Sequence, residues 1–252
     1  MKIRNLVCAV SGLFLSAMAA NAATVSFSAS SIDPSSTDFL DTSGTVLSAV
    51  NFAPANSETY SSTNPDTAVT LSGITFTPVS TTSAASGTYF TTNSSNRDSN
   101  RISNVTYDNT ELYGLVYYGL ITGSNSTNMQ FNLTNLTVGQ SYLVQFIYSC
   151  SGNRPIQLAA GTFSVGSVAT SGTGSDGNSD VYSYGETNGA LLLTATFTAD
   201  STTELFTMLS NTTGSNSRVT LSGFVISEIP EPSVALLGAL GGLALISRRR
   251  RA

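Results

Sequence analysis

Few residues in this chain could do chemistry, and their types narrow the choice. Histidine is absent from the whole sequence, so a serine triad, an imidazole general base and a histidine-ligated zinc site each lack an essential part. Two carboxylate pairs stand close in sequence, Asp108 with Glu111 and Asp180 with Glu186. A glycoside hydrolase needs such a pair, one acid and one base or nucleophile, but both fall on polar connections with no surrounding signal. Asp176, Asn178 and Asp180 offer side-chain oxygens at alternate positions, as calcium loops do. Val181 stands where such a loop has its glycine, and Asn188 and Gly189 give no closing acid, so an acidic surface turn accounts for the same pattern. No glycine-rich loop leads into a Lys-Ser or Lys-Thr pair that would cradle phosphate. The expectation is a non-enzymatic protein with no cofactor and no catalytic or metal residue.

Charge excludes a second class of function. Between Ala23 and Glu228 the basic residues are Arg97, Arg101, Arg154 and Arg218, four against fourteen acids, a balance of −10. Phosphate contacts need clustered lysine and arginine, so nucleic acid is not a partner. What remains for recognition is neutral: Ser, Thr and Asn, with Tyr113, Tyr117 and Tyr118 as rings that could stack on sugar faces. Cys150 is left alone once Cys8 departs with the leader described below. Either it is buried and inert or it pairs between chains, and no histidine is present to activate it.

Both ends carry signals of their own. Lys2 and Arg4 precede an apolar stretch from Leu6 to Ala20, and Ala20-Asn21-Ala22 supplies small residues for cleavage, which reads as a secretory signal peptide over 1–22. At the other end Pro230-Glu231-Pro232 is followed by an uncharged run from Val234 to Ile246 and then by Arg248, Arg249, Arg250 and Arg251. Proline fixes φ and removes a donor, so the triplet ends the preceding strand and keeps the chain extended. As a helix the run would cover only about 20 Å of a bilayer core roughly 30 Å thick, short for a permanent anchor. The arginines resist crossing and mark the cytoplasmic side.

This tail, over 229–252, resembles the PEP-CTERM sorting signal of bacterial envelope proteins. The resemblance implies that a membrane-embedded exosortase cuts near Pro230, Glu231 and Pro232, with Arg248 to Arg251 as the stop. It implies export with signal peptidase and exosortase as processing partners, a transient stay in the inner membrane, and a final place at the cell surface or outside the cell. It also associates the chain with extracellular polysaccharide. It assigns a route and a compartment but no activity to residues 23–228.

Short strands account for those residues. Thr45–Phe52, Ala68–Phe76, Met129–Leu133, Tyr142–Tyr148, Glu204–Leu209 and Val219–Ser227 are rich in β-branched and aromatic residues. Further strands are expected over Thr88–Thr92, Thr162–Val168 and Val181–Tyr184, whereas Leu112–Ile121 fits a strand or a short helical turn. Leu191–Thr198 alternates, with Leu191, Leu193, Ala195 and Phe197 on one face and Thr194, Thr196 and Thr198 on the other, which predicts one buried and one wet face. Leu136, Gly139 and Tyr142 have the spacing of a tyrosine corner, or of a plain turn before an aromatic.

The expected fold is all-β, a single β-sandwich or jelly roll flanked by an N-terminal signal-peptide helix and a C-terminal hydrophobic helix. The segments 136–146 and 196–200 resemble the jelly-roll, galactose-binding-like domains that PEP-CTERM proteins often carry. Three functions compete: a structural matrix protein, a carbohydrate-binding module for exopolysaccharide, and an envelope glycoside hydrolase. The neutral polar surface and the lack of a site favour the first.

Overall fold

A computed structural model describes residues 25–52, 68–79, 86–93, 96–99, 110–116, 118–122, 128–149, 156–160, 179–182, 190–210 and 219–230. In chain order its elements are β1 (Ser26–Ile32), β2 (Thr45–Asn51), β3 (Val69–Leu71), β4 (Ile74–Pro78), β5 (Ser86–Gly87), β6 (Phe90–Thr92) and β7 (Asn96–Ser99). There follow α1 (Thr110–Val116), β8 (Tyr118–Ile121), β9 (Asn128–Leu133), β10 (Ser141–Ser149), β11 (Ile156–Ala160), β12 (Ser179–Tyr182), β13 (Ala190–Thr198), β14 (Glu204–Ser210), β15 (Thr220–Leu221) and β16 (Gly223–Glu228). The protein is all-β in class. The two terminal helices expected from the sequence, and the strand expected over 162–168, lie outside the described residues.

Three sheets form. The largest has the order β1-β13-β10-β16-β2-β4-β3, the second β12-β11-β14-β9-β6-β5, and the smallest β15-β8-β7. Pairing is antiparallel throughout except between β2 and β4. The main core lies between the two larger sheets. Phe27, Phe52, Phe146, Phe197 and Phe224 come from the first sheet and its margin, and Phe90, Phe131 and Phe206 from the second. Their rings meet across the interface, Phe146 to Phe131 at 5.3 Å, Phe224 to Phe131 at 4.9 Å and Phe27 to Phe206 at 6.3 Å. Edge-to-face pairs of this kind add about 0.5–1.5 kcal/mol each beyond burial.

The first sheet is covered on its other face as well. Leu112, Leu115 and Val116 of α1 pack with Ile147, Leu192, Val225 and the β3–β4 hairpin in a second apolar cluster. This explains why β10 is buried from Tyr142 to Ser149 with no alternation. It also limits the wet face expected for β13. Thr194 and Thr196 are half-buried and Thr198 is exposed, but Leu192 is buried under the second cluster. Gln145, in the middle of β10, would be an orphan amide there. It is instead clasped to the Asp41 backbone, accepting from its N–H at 2.8 Å and donating to its carbonyl at 3.0 Å.

Two expected elements differ in form. Ala68–Phe76 is not one strand but a hairpin, turned by Ser72 (φ 51°) and Gly73 (φ 74°). Two successive positive φ values are the I′ geometry that matches strand twist, and glycine takes its share of it without strain. Leu112–Ile121 is helix first and strand second, α1 then β8. The helix ends buried, and its last carbonyl, on Val116, accepts hydrogen bonds from the Ser149 and Ser222 hydroxyls. Those two hydroxyls also bond each other at 2.6 Å.

The corner between the sheets is the tyrosine corner that the spacing suggests. Between β9 in one sheet and β10 in the other, the Thr137 amide donates to the Tyr142 phenol oxygen at 2.8 Å. Gly139, at φ 86°, makes the turn, and Leu136 is buried beneath it. The Tyr142 ring stacks on Phe197 at 5.8 Å. Tyr142→Phe keeps this stacking and loses the acceptor alone. It should destabilise the fold by about 1 kcal/mol, seen as a lower urea midpoint with an unchanged m-value.

Candidate functional site

A cleft lined by described residues opens where the first sheet splits. β2 and β4 pair in parallel only at Val50↔Thr77 and Asn51↔Pro78. Toward their N-terminal ends the two strands separate, because β4 must also pair with β3 around the Ser72-Gly73 turn while β2 follows β16 through a bulge at Ile226/Ser227. The gap has a volume of about 530 Å³, within the roughly 300–1,000 Å³ of small-molecule sites. One wall carries Leu47, Ser48 and Val50, the other Ile74, Thr75 and Thr77, and Phe90 and Gly87 lie at its end. Gly87 has a steric reason to be there, since a Cβ would stand 2.5 Å from the Phe90 ring.

The chemistry of this cleft is neutral. None of its described lining residues is ionisable; they present hydroxyls on Ser48, Thr75 and Thr77 beside aliphatic surface. Thr75 and Thr77 are exposed, and the Thr75 hydroxyl meets that of Thr70 at 3.1 Å. Such a surface can exchange hydrogen bonds with a neutral polar ligand. It offers no proton donor or acceptor of catalytic strength. Residue order holds little hint of it, because the cleft depends on a parallel pairing between segments more than twenty residues apart; the Ser72-Gly73 dipeptide is the one local sign that Ala68–Phe76 folds back.

The residues singled out from sequence distribute as follows. Pro230 is described and exposed, two residues past Glu228, the end of β16. Glu231, Pro232 and Arg248, Arg249, Arg250 and Arg251 lie outside the described residues, as do Cys150, Asp108, Glu186, Tyr117, Asp176 and Asn178. Asp180 is in β12, opposite Leu158 of β11, so its backbone belongs to a strand and not to the turn expected there. Glu111 and Tyr113 fall on α1 and Tyr118 on β8, by backbone position. Among the described residues no three of His, Cys, Asp and Glu gather as a metal site would require. Among them, too, no helix is long and apolar enough to cross a membrane.

Just before Pro230 the chain is held firmly. The Ile229 amide donates to the Ser141 carbonyl at 2.9 Å, and the Gln140 side-chain amide donates to the Ile229 carbonyl at 2.9 Å. Glu228 pairs with Tyr142 on one side and Thr45 on the other. Both carbonyl and amide of the last residue before the proline triplet are therefore engaged with the body.

No family model matches this chain, and no curated protein matches it. Among solved structures it is similar to the extracellular domain of ANXUR1 from Arabidopsis thaliana, with 12% identity, a TM-score of 0.39, and coverage of 74% of this chain and 49% of that one. The chain thus spans about half the length of that structure.

The titratable groups of note lie away from the cleft. Hydrogen bonds from Ser35 hold Asp33 below the usual carboxylate range, and Ser43 does the same for Asp41. Glu204, at the start of β14, goes the other way: burial raises it, helped by the charge of Asp200. A carboxyl raised in the fold keeps its proton longer there than in the unfolded chain. Stability therefore falls as pH rises from the ordinary value of 4.5 through the raised one, and levels off above it. Glu204→Gln should leave the melting temperature unchanged below that window and raise it at pH 7, which thermal melts at pH 3.5 and 7 would check.

Proposed function

We propose that this chain is an exported envelope or extracellular-matrix protein, sorted by an exosortase through its C-terminal tail, with a non-catalytic structural body. In this reading the body is a single β-sandwich of the jelly-roll kind, the signal peptide and the hydrophobic tail flank it as helices, and the inner membrane holds the chain only until it is cut. The observation that carries the proposal is the ordered succession of Pro230-Glu231-Pro232, the uncharged run from Val234 to Ile246, and Arg248 to Arg251. The exposure of Pro230, two residues past the end of β16, supports it, because a protease needs an accessible backbone. Protein recovered from the native host should lack Val234 to Ala252, and replacing Pro230, Glu231 and Pro232 with alanine should leave it uncut. An intact arginine-rich end in the final product, read by mass spectrometry, would sink the proposal.

The cleft between β2 and β4 favours a second reading, an exopolysaccharide-binding module. A neutral polysaccharide suits both its hydroxyl lining and the acidic body, which repels acidic polymers at low salt. Titration calorimetry across a panel of neutral glycans should then give heat with the wild-type body that is lost in Thr75→Arg, which sets a guanidinium in the cleft. Silence across the whole panel leaves the structural reading alone.

A further inference from the structure

The described strands of the three sheets leave six margins, and five of them are short. β3, β5 and β15 run for three, two and two residues, and β7 and β12 for four each. β7 also carries Arg97 and Asp98, and β12 carries Asp180. Short strands and charges are the usual means by which a sheet edge avoids pairing with another chain. β1 has neither. It runs for seven residues, Ser26 to Ile32, with no charge, proline or glycine. Every position pairs with β13, from Ser26↔Thr196 to Ile32↔Ala190, without a bulge. Backbone groups in an antiparallel pair point alternately toward the partner strand and away from it. Every second residue of β1 therefore turns its amide and carbonyl outward, and no described residue pairs with them. Ser28, Ala29, Ser30 and Ser31 are exposed in succession, so both faces of the strand are open there as well as its edge.

We infer that β1 is a dimer seam, paired antiparallel with β1 of a second copy about a two-fold axis at Ala29. In that register Ala29 faces its own counterpart, Ser28 faces the other copy's Ser30, and Ser26 faces the other copy's Ile32. No other antiparallel register of β1 with itself pairs all seven positions. The two-fold makes each contact twice and closes the assembly, since each copy has one such edge among its described strands. The side chains at the seam are small. Ala29, exposed on the face where Phe27 enters the core, is covered by its counterpart, and Ser28 and Ser30 set hydroxyls opposite one another on the other face. Two bodies of balance −10 repel, so a seam between them must keep its charges apart. The acid next to β1 is Asp33. Centred on Ala29, the pairing holds the two Asp33 residues eight positions apart along the ribbon, about 27 Å, beyond the Debye length of about 8 Å at physiological salt. A register centred nearer Ile32 would bring them together. β1 offers a foreign strand neither charge nor large exposed side chain to recognise, whereas a second copy matches it at every position.

Sedimentation of the protein as its native host makes it should give the mass of two chains. Ala29→Lys and Ala29→Glu each set like charges opposite one another across the seam. Each should sediment as a single chain with an unchanged circular dichroism spectrum, and mixing the two should restore the pair, because lysine then faces glutamate. Oxidation of the Ala29→Cys protein should yield a disulfide-linked peptide joining position 29 to itself, since opposite Cβ atoms lie about 5 Å apart. Ser26→Cys, about 20 Å from its counterpart in this register, should yield none. A single chain at every concentration of the wild type, a dimer that survives both charges, linkage at 26 equal to that at 29, or a different protein joined at 29 would each overturn the seam. Should the charged variants fail to fold, the two cysteine variants decide. Neither the sorting reading nor the glycan reading bears on these outcomes.

Discussion

Everything in this fold depends on the contact between two sheets through phenylalanine. Phe131 is the meeting point: its ring lies 5.5 Å from Phe90, 4.9 Å from Phe224, 5.3 Å from Phe146 and 6.4 Å from Phe52. All five rings are buried. The chain has no tryptophan and few charged residues, so neither a large anchor nor ion pairing can take over this role. Each ring removes apolar area from water at about 25 cal/mol per Å², and the interlocked geometry fixes which strands face one another. The tyrosine corner then closes one margin of this interface, where the chain passes from β9 to β10.

The outer face of the first sheet imposes a second constraint. A sheet buried on both faces cannot alternate, and β10 does not. Every polar group on it therefore needs a partner from the covering layer. Gln145 finds it in the Asp41 backbone, and Ser149 finds it in the last carbonyl of α1. The polar loop from Asp33 to Gly44 is held over the sheet in the same way, with the Ser72 amide and hydroxyl both donating to the Thr37 carbonyl. Hydrogen bonds of this kind contribute about 1 kcal/mol each, and those that are buried cost more when broken one-sidedly, so the covering layer is bound to the sheet by specificity as well as by apolar area.

Local chemistry was legible in the sequence; non-local geometry was not. The period-two pattern of Leu193 to Thr198 and the spacing of Leu136, Gly139 and Tyr142 each report a local demand, and the structure meets both. β1 went unseen because its serines and Ala29 resemble a polar loop, and only pairing with β13 makes it a strand. Ile156–Ala160 is short and apolar, and its place between β12 and β14 comes from partners far away in the chain. The cleft is a harder case. It exists because two segments pair in parallel over two residues and then part, and no side-chain pattern in either segment records that divergence. The reading proposed for the tail is the reverse: it rests on residue order alone, on proline, an uncharged run and arginine.

The placement of the tail on β16 has a mechanical consequence. A segment attached to an edge strand can be peeled away one hydrogen bond at a time. β16 instead has a ladder on each side, six registered pairs with β10 and six with β2. Antiparallel hydrogen bonds run perpendicular to the strand, so a pull along its axis loads both ladders in shear, together and not in sequence. Phe224 and Ile226 add to the resistance, since sliding β16 by one residue would turn them from the core to the other face. A body tethered through this strand resists extraction with its whole central sheet.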